Sequence, residues 1–288
     1  MINHNNFMRS IVANAQLEKN TQVEQTVIAN QYFLMKKLLS PAEMPRLNDV
    51  GFKVHSQFEE DGMLLYIFSV IGVTNKKVVE ICVGDGTECM AANLIINHGW
   101  NALLFDGDQA NVDSAVKFYS TNRSTFLYPP TIKRAWLTQD NVDRLITESG
   151  FVGEIDLLSL DIDGNDYYLM EAIRSIRPRV IICETHNVIP GDRSLTIPYE
   201  SDFDVKKSRH PDFTGVSLLA MKKLLQKKGY RLIGAHRYGF NAIFMLNELG
   251  KEYFPEISIK SVHANAYTEL RQGTAWNEVK ELPWVEVG

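Results

Sequence analysis

Residues 78–90 read VVEICVGDGTECM, and this stretch decides how the rest of the chain is interpreted. An apolar run meets Gly84 and Gly86, and a longer segment with apolar residues at helical spacing follows. The pattern predicts a buried strand, a tight glycine turn and a helix whose first N–H groups are free for a ligand. Cys82 and Val83 stand where many such turns have glycine or alanine.

Short apolar runs alternate with longer periodic segments as far as residue 246. Strands are expected at 78–83, 101–106, 132–137, 155–161 and 179–184, with two more within 230–246, and helices at 87–98, 139–149, 165–176 and 216–229. Strands that alternate with helices form parallel sheets, and continuous apolar strands are typical of sheets covered on both faces. We therefore expect an α/β fold: a Rossmann-like seven-stranded, mostly parallel sheet with helices on both faces and an antiparallel C-terminal strand.

Two segments flank this region. Residues 15–40 carry apolar groups at helical spacing and end at Pro41, which predicts helices in an N-terminal extension over residues 1–55. These helices could pair between copies of the chain and form a homo-oligomer. A single domain is expected over residues 56–248, and the tail 249–288 has no pattern that predicts structure.

The 288 residues carry a formal net charge of -5 with a pI near 5.8, and lysine and arginine form only short pairs. Because nucleic-acid binding depends on accumulated positive charge, we expect no nucleic-acid partner and favour a small molecule. The three cysteines fit neither a disulfide framework nor a metal pair, which is typical of a reducing compartment. No apolar run is long enough to span a membrane, and the first residues lack the apolar core of a signal peptide, so a cytoplasmic location is expected.

Four predicted strands run into residues with chemical or conformational roles: Gly84, Asp106, Asp161 and Glu184. In an open parallel sheet the carboxyl ends of the strands lie along one edge, and ligands bind in the crevice outside it. Packing does not explain why acidic residues recur at that edge. The sequence therefore predicts a binding site there.

The spacing of these residues indicates a nucleoside. Asp106 comes 22 residues after Gly84, close to the spacing at which an acid accepts hydrogen bonds from ribose hydroxyls. A nicotinamide dinucleotide would need a third glycine for its pyrophosphate, but Cys89 stands there. Glu80 is an acid inside an apolar strand, so it needs a defined partner, and its charge would repel a pyrophosphate. That charge favours S-adenosylmethionine, which carries an ammonium and a sulfonium group.

At these residues the sequence resembles a known family. Glu80-x-x-x-Gly84-x-Gly86 resembles motif I of class I S-adenosylmethionine-dependent methyltransferases, and Asp106 resembles their ribose-binding acid. LLSLDIDGNDYYLMEAI (157–173) is similar to the fourth-strand segment of FkbM-type methyltransferases, as are SQFEEDG (56–62) and KGYRLIGAHRYGFNAIFML (228–246) to other parts of that family. The resemblance covers residues 52–248 and implies the Rossmann-like fold, with S-adenosylmethionine as cofactor. The cofactor-binding residues that it implies are Gln57, Glu80, Gly84, Asp85, Gly86, Asp106, Gly107 and Asp161.

The same resemblance places Asp161 opposite the methyl group and the acceptor, with Glu184 and His186 as further catalytic candidates. Two mechanisms stay open. Asp161, Glu184 and Asn187 could bind a divalent ion that acidifies an acceptor oxygen. Alternatively, His186 could act as a general base, because an imidazole titrates near neutral pH.

Other polar residues near these positions have structural interpretations. Asp161 and Asp163 alternate as in a calcium loop, but Asp166 and Ala172 stand where such a loop needs glycine and glutamate, so that interpretation is rejected. Asn165 and Asp166 are expected to cap the next helix.

The segment before the first strand also has two interpretations. Ser56 and Glu59 have the spacing of a capping box, which predicts a helix over 56–71. Gln57 and Asp61 either meet the methionine end of the cofactor or cap this helix.

We expect the protein to move a methyl group from S-adenosylmethionine to a hydroxyl of a small molecule, a sugar or saccharide intermediate. The polar loop 185–215 is expected to select the acceptor, because so long a loop in a compact domain is usually a lid or a binding loop. His210 in this loop is expected to be exposed unless the loop closes over the site. Two rivals are a non-catalytic scaffold whose altered turn no longer binds cofactor, and a nicotinamide-dependent oxidoreductase.

Overall fold

The structure is a computed structural model that describes residues 21–288. Seven strands form the main sheet: β1 (Lys77–Ile81), β2 (Asn101–Asp106), β3 (Thr131–Arg134), β4 (Gly153–Leu160), β5 (Ile176–Glu184), β7 (Tyr230–Ala235) and β8 (Asn241–Leu246). Their order is β3-β2-β1-β4-β5-β8-β7. The first five strands pair in parallel, whereas β8 is antiparallel to both of its neighbours. The predicted Rossmann-like sheet with an antiparallel C-terminal strand is confirmed.

Helices cover both faces of this sheet, as expected. One face carries α1 (Gln22–Leu38), α2 (Glu60–Ile71), α3 (Ala92–His98) and α4 (Gln109–Thr121), and the other carries α5 (Val142–Glu148), α6 (Asp166–Ala172) and α7 (Leu218–Lys227). The central strands are mainly apolar on both faces, because successive side chains point to opposite faces and both faces are covered. Val78 and Leu157 lie in one core, and their neighbours Val79 and Leu158 lie in the other.

Several predicted boundaries are wrong. The helix expected over 87–98 begins only at Ala92, because the glycine turn continues to Ala91 without helical structure. The strand expected over 132–137 is β3, which ends at Arg134. Helix α4 was not predicted at all, and residues 15–20 of the expected N-terminal helices lie outside the described part of the chain.

Helix α2 begins at Glu60 rather than at 56, and the expected capping box between Ser56 and Glu59 is not formed. Instead, the Ser56 hydroxyl accepts a hydrogen bond from the Asp61 N–H, and one Asp61 oxygen accepts the N–H groups of Val54, His55 and Ser56. The buried Asp61 carboxylate thus organises the turn that enters the helix.

The tail is structured and holds the long loop. It forms α8 (Ile259–His263), α9 (Ala266–Gly273), α10 (Ala275–Val279) and β9 (Val285–Glu286). Strand β9 pairs with β6 (Leu195–Thr196), which lies within the loop 185–215. A small third core joins the two segments and consists of Val188, Ile197, Phe213, Ala275 and Val279. The tail therefore fixes the loop that follows β5.

The outer side of α1 is apolar and exposed, with Val23, Val27, Leu34 and Leu38 at its surface. Pairing of copies through this helix stays a prediction. None of the helices within residues 21–288 has the length and apolar character needed to cross a membrane.

Candidate active site

The turn after β1 has the conformation that its glycines permit. Gly84 and Gly86 have positive φ angles of 56° and 78°, and a side chain at Gly86 would lie 2.9 Å from the Ala115 side chain. Cys82 also has a positive φ, 69°, which is unusual for a residue with a side chain. Asp85 is exposed, and its carboxylate accepts hydrogen bonds from the Thr87 N–H and hydroxyl. Its contacts therefore lie within the turn.

Glu80 has the defined partner that its burial requires. Its two carboxylate oxygens accept hydrogen bonds from the backbone N–H groups of Met90 and Ala91, at 2.8 and 2.7 Å. The Ser159 hydroxyl adds a longer bond at 3.3 Å. Burial raises the pKa of Glu80, and the two backbone bonds lower it. Glu80 thus ties the strand to the start of α3 and has no free oxygen facing the strand ends.

Asp106 and Gly107 lie at the tip of β2 beside the glycine turn. The Asp106 carboxylate accepts hydrogen bonds from the N–H groups of Gly84 and Asp108, at 2.8 and 2.9 Å, and from the Asn111 amide. A side chain at Gly107 would lie 2.9 Å from the Trp136 ring, so glycine lets that ring approach the strand tip.

A cavity opens above these strand tips, and we call it the rim cavity. It is lined by Ile81, Cys82, Phe105, Asp106, Gly107, Ala135, Trp136, Leu137, Ile162, Asn165 and Phe203. Six of its residues come from the stretches or positions that the sequence singled out: Ile81, Cys82, Asp106, Gly107, Ile162 and Asn165. Trp136 follows β3, at the same edge of the sheet, and could have been found by the strand-end argument. Phe203 lies in the loop 185–215, and no local pattern marks it.

The predicted N-terminal residues do not reach this cavity. Gln57 is exposed, and its backbone carbonyl accepts a hydrogen bond from the Lys53 ammonium group. Asp61 is buried in the turn described above. Of the predicted cofactor-binding residues, Asp106 and Gly107 line the rim cavity, whereas the other six do not: Gln57, Glu80, Gly84, Asp85, Gly86 and Asp161.

Three carboxylates meet at the tips of β4 and β5. Asp161, Asp163 and Glu184 each offer an oxygen within 4.8 Å of the other two. Asp163 has a positive φ of 54°, and its carbonyl accepts a hydrogen bond from the Thr214 hydroxyl. The structure brings together Asp161 and Glu184, the two acids expected at strand ends. The third acid, Asp163, was considered only as part of the rejected calcium loop. This acidic trio is the densest charge cluster near the rim.

Desolvation and mutual repulsion raise the pKa values of these acids. Desolvation and the Asp163 charge raise the pKa of Asp161 to about 6. Desolvation and the neighbouring Asp161 raise the pKa of Glu184 well above its usual value. Desolvation also raises the pKa of Asp163. The trio therefore holds protons more tightly than free carboxyl groups do.

Asn165 and Asp166 differ from the simple caps that were expected. Asp166 accepts the N–H groups of Ile162 and Gly164, both at 2.9 Å, and so closes the turn before α6 rather than capping the helix beyond it. Burial and the Asp161 charge raise its pKa to about 7. Asn165 makes no side-chain cap, and its amide donates to the Glu200 carbonyl at 2.7 Å.

A second cavity adjoins the acidic trio, and we call it the acidic cavity. It is lined by Asp163, Asp166, Glu184, Thr185, His186, Asn187, Val205, Pro211, Thr214, Gly215, Val216, Phe240, Tyr267 and Arg271. The segment 161–166 separates it from the rim cavity, since Ile162 and Asn165 line one and Asp163 and Asp166 the other. Two cavities thus lie on either side of this segment at the tip of β4.

His186 is held as a neutral imidazole in the wall of the acidic cavity. Its Nε2 lies 2.9 Å from the Asp212 backbone carbonyl, which can only accept, so Nε2 carries the proton. Nδ1 then has a free lone pair and no hydrogen bond to any residue within 21–288. Burial lowers the pKa of His186, which favours this uncharged form.

Other residues of the loop and the tail complete the wall. The Asn187 amide donates to the Tyr238 carbonyl and the Thr268 hydroxyl, away from the carboxylates. Asn187 lines the acidic cavity with Asp163 and Glu184, and its part in binding an ion stays a prediction. His210 is only partly exposed and lies 3.2 Å from Glu278 of α10. Tyr267 and Arg271 come from α9, in the tail whose sequence carried no recognisable signal.

The structure is that of an α/β protein with two cavities at the carboxyl edge of its sheet. Residues 75–232 match the family described as the Methyltransferase FkbM domain. This match spans more than half of the chain, and the chain belongs to this family of class I S-adenosylmethionine-dependent methyltransferases, as its motifs indicated. Comparison with curated proteins gave no significant match.

Solved structures of low identity have similar folds. The N-terminal domain of EvdMO1 with S-adenosylhomocysteine bound is 14% identical, with a TM-score of 0.43 over 76% of this chain and 94% of that one. An O-methyltransferase from Bacillus cereus in complex with S-adenosylhomocysteine is 12% identical, with a TM-score of 0.41 over 82% and 94%. An S-adenosylmethionine-dependent methyltransferase from Clostridium acetobutylicum ATCC 824 is 10% identical, with a TM-score of 0.38 over 62% and 87%.

Proposed function

We propose that this protein transfers a methyl group from S-adenosylmethionine to a hydroxyl of a small molecule, and that the acceptor is a sugar or saccharide intermediate. The observation that carries the proposal is the presence of two cavities on either side of the segment 161–166 at the tip of β4, one beside Asp106 and Trp136 and the other beside Asp163 and Glu184. A transfer between two bound molecules needs two neighbouring spaces, because alignment of the reacting atoms supplies much of the rate.

The residues of the rim cavity fit the adenosyl part of this cofactor. Asp106 uses three of its about four acceptor positions within the protein, which leaves one for a ribose hydroxyl. The rings of Trp136 and Phe203 line the same space and offer flat apolar surfaces for a purine. Cys82 also lines this space, and apart from Asp106 and Asn165 the remaining lining residues are small or apolar.

Glu80 supports the proposal differently from what its sequence position suggested. Its oxygens are engaged by the Met90 and Ala91 amides, so it would hold the turn and the start of α3 in place rather than touch the ligand. Gly84 and Gly86 would shape the turn, with Gly107 opening the path to Trp136. Asp161 would lie between the two ligands, and Gln57 and Asp85 have no contact that supports direct binding.

The acidic cavity fits a polyhydroxylated ring. Its carboxylates can accept hydrogen bonds from several hydroxyl groups, while Phe240 and Tyr267 offer aromatic surfaces to the apolar face of a sugar. When bound, S-adenosylmethionine supplies an electrophilic methyl group on its sulfonium. The acceptor oxygen must lose its proton as it takes that methyl group. His186 Nδ1 or the carboxylate of Asp161 would receive the proton, since both are unprotonated over part of the neutral range.

A divalent ion is a second way to activate the acceptor, and one observation favours it. Asp161, Asp163 and Glu184 form a close group, and Arg271, which lines the adjoining acidic cavity, is paired with Asp212. An ion held by these three carboxylates would compensate their charge and acidify a hydroxyl bound beside it.

Calorimetric titration of the full chain with S-adenosylhomocysteine and with NAD tests the cofactor. Saturable binding of S-adenosylhomocysteine alone supports transfer, binding of NAD alone supports the oxidoreductase, and binding of neither supports the scaffold. The acceptor is tested with S-adenosylmethionine labelled in its methyl group and a panel of nucleotide sugars and free glycans. Label found in a saccharide supports the proposal, and a parallel series with chelator tests the ion. Label found only in non-saccharide hydroxyl compounds would count against the acceptor assignment.

A further inference from the structure

A short part of the loop 185–215 lies across the rim cavity. The Trp136 indole N–H donates to the Ser201 carbonyl at 2.9 Å, and the Asn165 amide donates to the Glu200 carbonyl at 2.7 Å. These two donors stand at the tips of β3 and β4, on different sides of the cavity. The segment 199–204 is therefore tied down at two points that flank the predicted cofactor space.

These ties place one apolar ring over that space. Phe203 lines the rim cavity together with Trp136. A side chain at Gly164 would lie 2.4 Å from the Phe203 ring, so only glycine allows the ring to rest at this position. A steric effect thus explains why residue 164 is glycine: an aromatic ring from a loop that is distant in sequence approaches its backbone closely.

Asn165 is the residue that connects this ring to the strand tip. It is 4% exposed, and its amide nitrogen is used by the Glu200 carbonyl, three residues before Phe203. Its amide oxygen has no hydrogen-bond partner among the described residues, although it is buried. Retaining a buried amide with an unpaired oxygen is unfavourable, so its value to the protein must come from the bond that it does make.

We propose that Phe203 is a cofactor-binding residue and that Asn165 is its positioning residue, acting through the Asn165–Glu200 hydrogen bond. This inference rests on the proposed function, because the ligand in the rim cavity is taken to be S-adenosylmethionine or S-adenosylhomocysteine. The flat purine of that cofactor stacks against aromatic rings, and Phe203 supplies such a ring from the loop 185–215. The loop 185–215 would therefore contribute residues to both the rim cavity and the acidic cavity.

The test is calorimetric titration of the full chain with S-adenosylhomocysteine. Phe203→Ala is expected to raise the Kd about five- to tenfold, the effect of losing one aromatic contact. Phe203→Leu keeps an apolar side chain for the small third core and is expected to raise the Kd less. Phe126→Ala is the matched control, because Phe126 is an exposed aromatic residue that lines neither cavity. Denaturant unfolding of each ligand-free variant separates loss of stability from loss of binding.

Double variants distinguish positioning from general support of the structure. Asn165→Ala and Gly164→Ala are each expected to raise the Kd about three- to tenfold, because both displace the Phe203 ring. In a Phe203→Ala background neither should weaken binding further. The inference is overturned if Phe203→Ala leaves the Kd unchanged, or if Asn165→Ala and Gly164→Ala have their full effect without the ring. Failure of the wild-type chain to bind S-adenosylhomocysteine would instead overturn the proposed function, and this inference with it.

Discussion

The backbone N–H of Gly84 donates to the Asp106 carboxylate at 2.8 Å, which joins the turn after β1 to the tip of β2. The other oxygen of Asp106 accepts the Asp108 N–H and the Asn111 amide. One carboxylate therefore holds two rim loops in a fixed relation, and the residue proposed to meet a ribose is also the residue that shapes the turn.

Asp106→Asn is expected to weaken both the turn and cofactor binding. The substitution keeps the size of the side chain but turns one acceptor into a donor, so either Gly84 or the Asp108 and Asn111 groups lose their partner. The unfolding free energy should fall by about 1–3 kcal/mol, and the Kd for S-adenosylhomocysteine should rise roughly tenfold or more. Denaturant unfolding and calorimetry measure the two effects. Asp85→Asn is the control, since that exposed carboxylate bonds only within its turn, and equal losses in both variants would contradict this role.

Cys82→Gly is expected to stabilise the protein. Cys82 has a φ of 69°, in a region that costs a residue with a side chain about 1 kcal/mol or more and costs glycine little. The greater freedom of glycine in the unfolded chain offsets part of the gain, so we expect a net rise of roughly 0.5–1 kcal/mol in the unfolding free energy. Cys82→Ala removes the thiol but keeps the strain, and it should change stability less. Loss of S-adenosylhomocysteine affinity in the glycine variant would show that the thiol itself contributes to binding.

The sheet could be predicted because its signals are local and repeated. Each central strand is a mainly apolar run, and burial on both faces is typical of a parallel sheet. The acids at the strand tips were found for the same reason, since topology alone brings Asp161 and Glu184 to one edge. Helix α4 was missed because its sequence, QANVDSAVKFYST, buries only Val112, Ala115 and Tyr119, so its apolar pattern is weak.

Other parts of the site depend on contacts between distant segments. Tyr267 and Arg271 enter the acidic cavity because α9 packs on the loop 185–215, and nothing in their own neighbourhood marks them. The direction of the Glu80 carboxylate could not be predicted from the sequence either. Its burial predicted a partner, but whether that partner was a ligand or the Met90 and Ala91 amides depended on where α3 begins. Residue type and spacing indicate the edge of the sheet, whereas side-chain direction is decided by packing.

The stability of the protein should fall as the pH rises through the titration of the acidic trio. Burial and Asp163 raise the pKa of Asp161 to about 6, whereas an unfolded aspartate titrates near pH 3.9. The folded state thus holds this proton more tightly, so its contribution is complete below about pH 4 and is lost as the pH passes about 6. As the pH rises from about 4 to above about 6, the unfolding free energy of Asp161→Asn should increase by roughly 1–3 kcal/mol relative to that of wild type. Urea unfolding without divalent ions measures this difference. A difference that does not vary with pH would refute the assignment.

If the acidic trio is a metal site, divalent ions should restore the stability that is lost as the pH rises. Mn²⁺ added to the full chain is expected to bind once per chain, and electron paramagnetic resonance can follow the loss of the free-ion signal. Asp163→Asn and Glu184→Gln should each raise the Kd for Mn²⁺ roughly tenfold, because each removes one anionic ligand. The exposed Asp140→Asn is the control. Unaltered Mn²⁺ binding in both cavity variants would place the ion elsewhere on the protein.

His186→Gln separates the two ways of activating the acceptor. Glutamine keeps an N–H donor for the Asp212 carbonyl, so the loop geometry is preserved, but it has no basic lone pair at the position of Nδ1. If His186 is the base, transfer of labelled methyl groups to the acceptor should slow by roughly 10²–10⁴-fold while the Kd for S-adenosylhomocysteine changes little. If an ion on the trio activates the hydroxyl instead, this variant should retain most of its rate and chelator should abolish transfer. His98→Gln is the control, since His98 lies in α3 against Gln25 and lines neither cavity, and its rate should equal that of wild type.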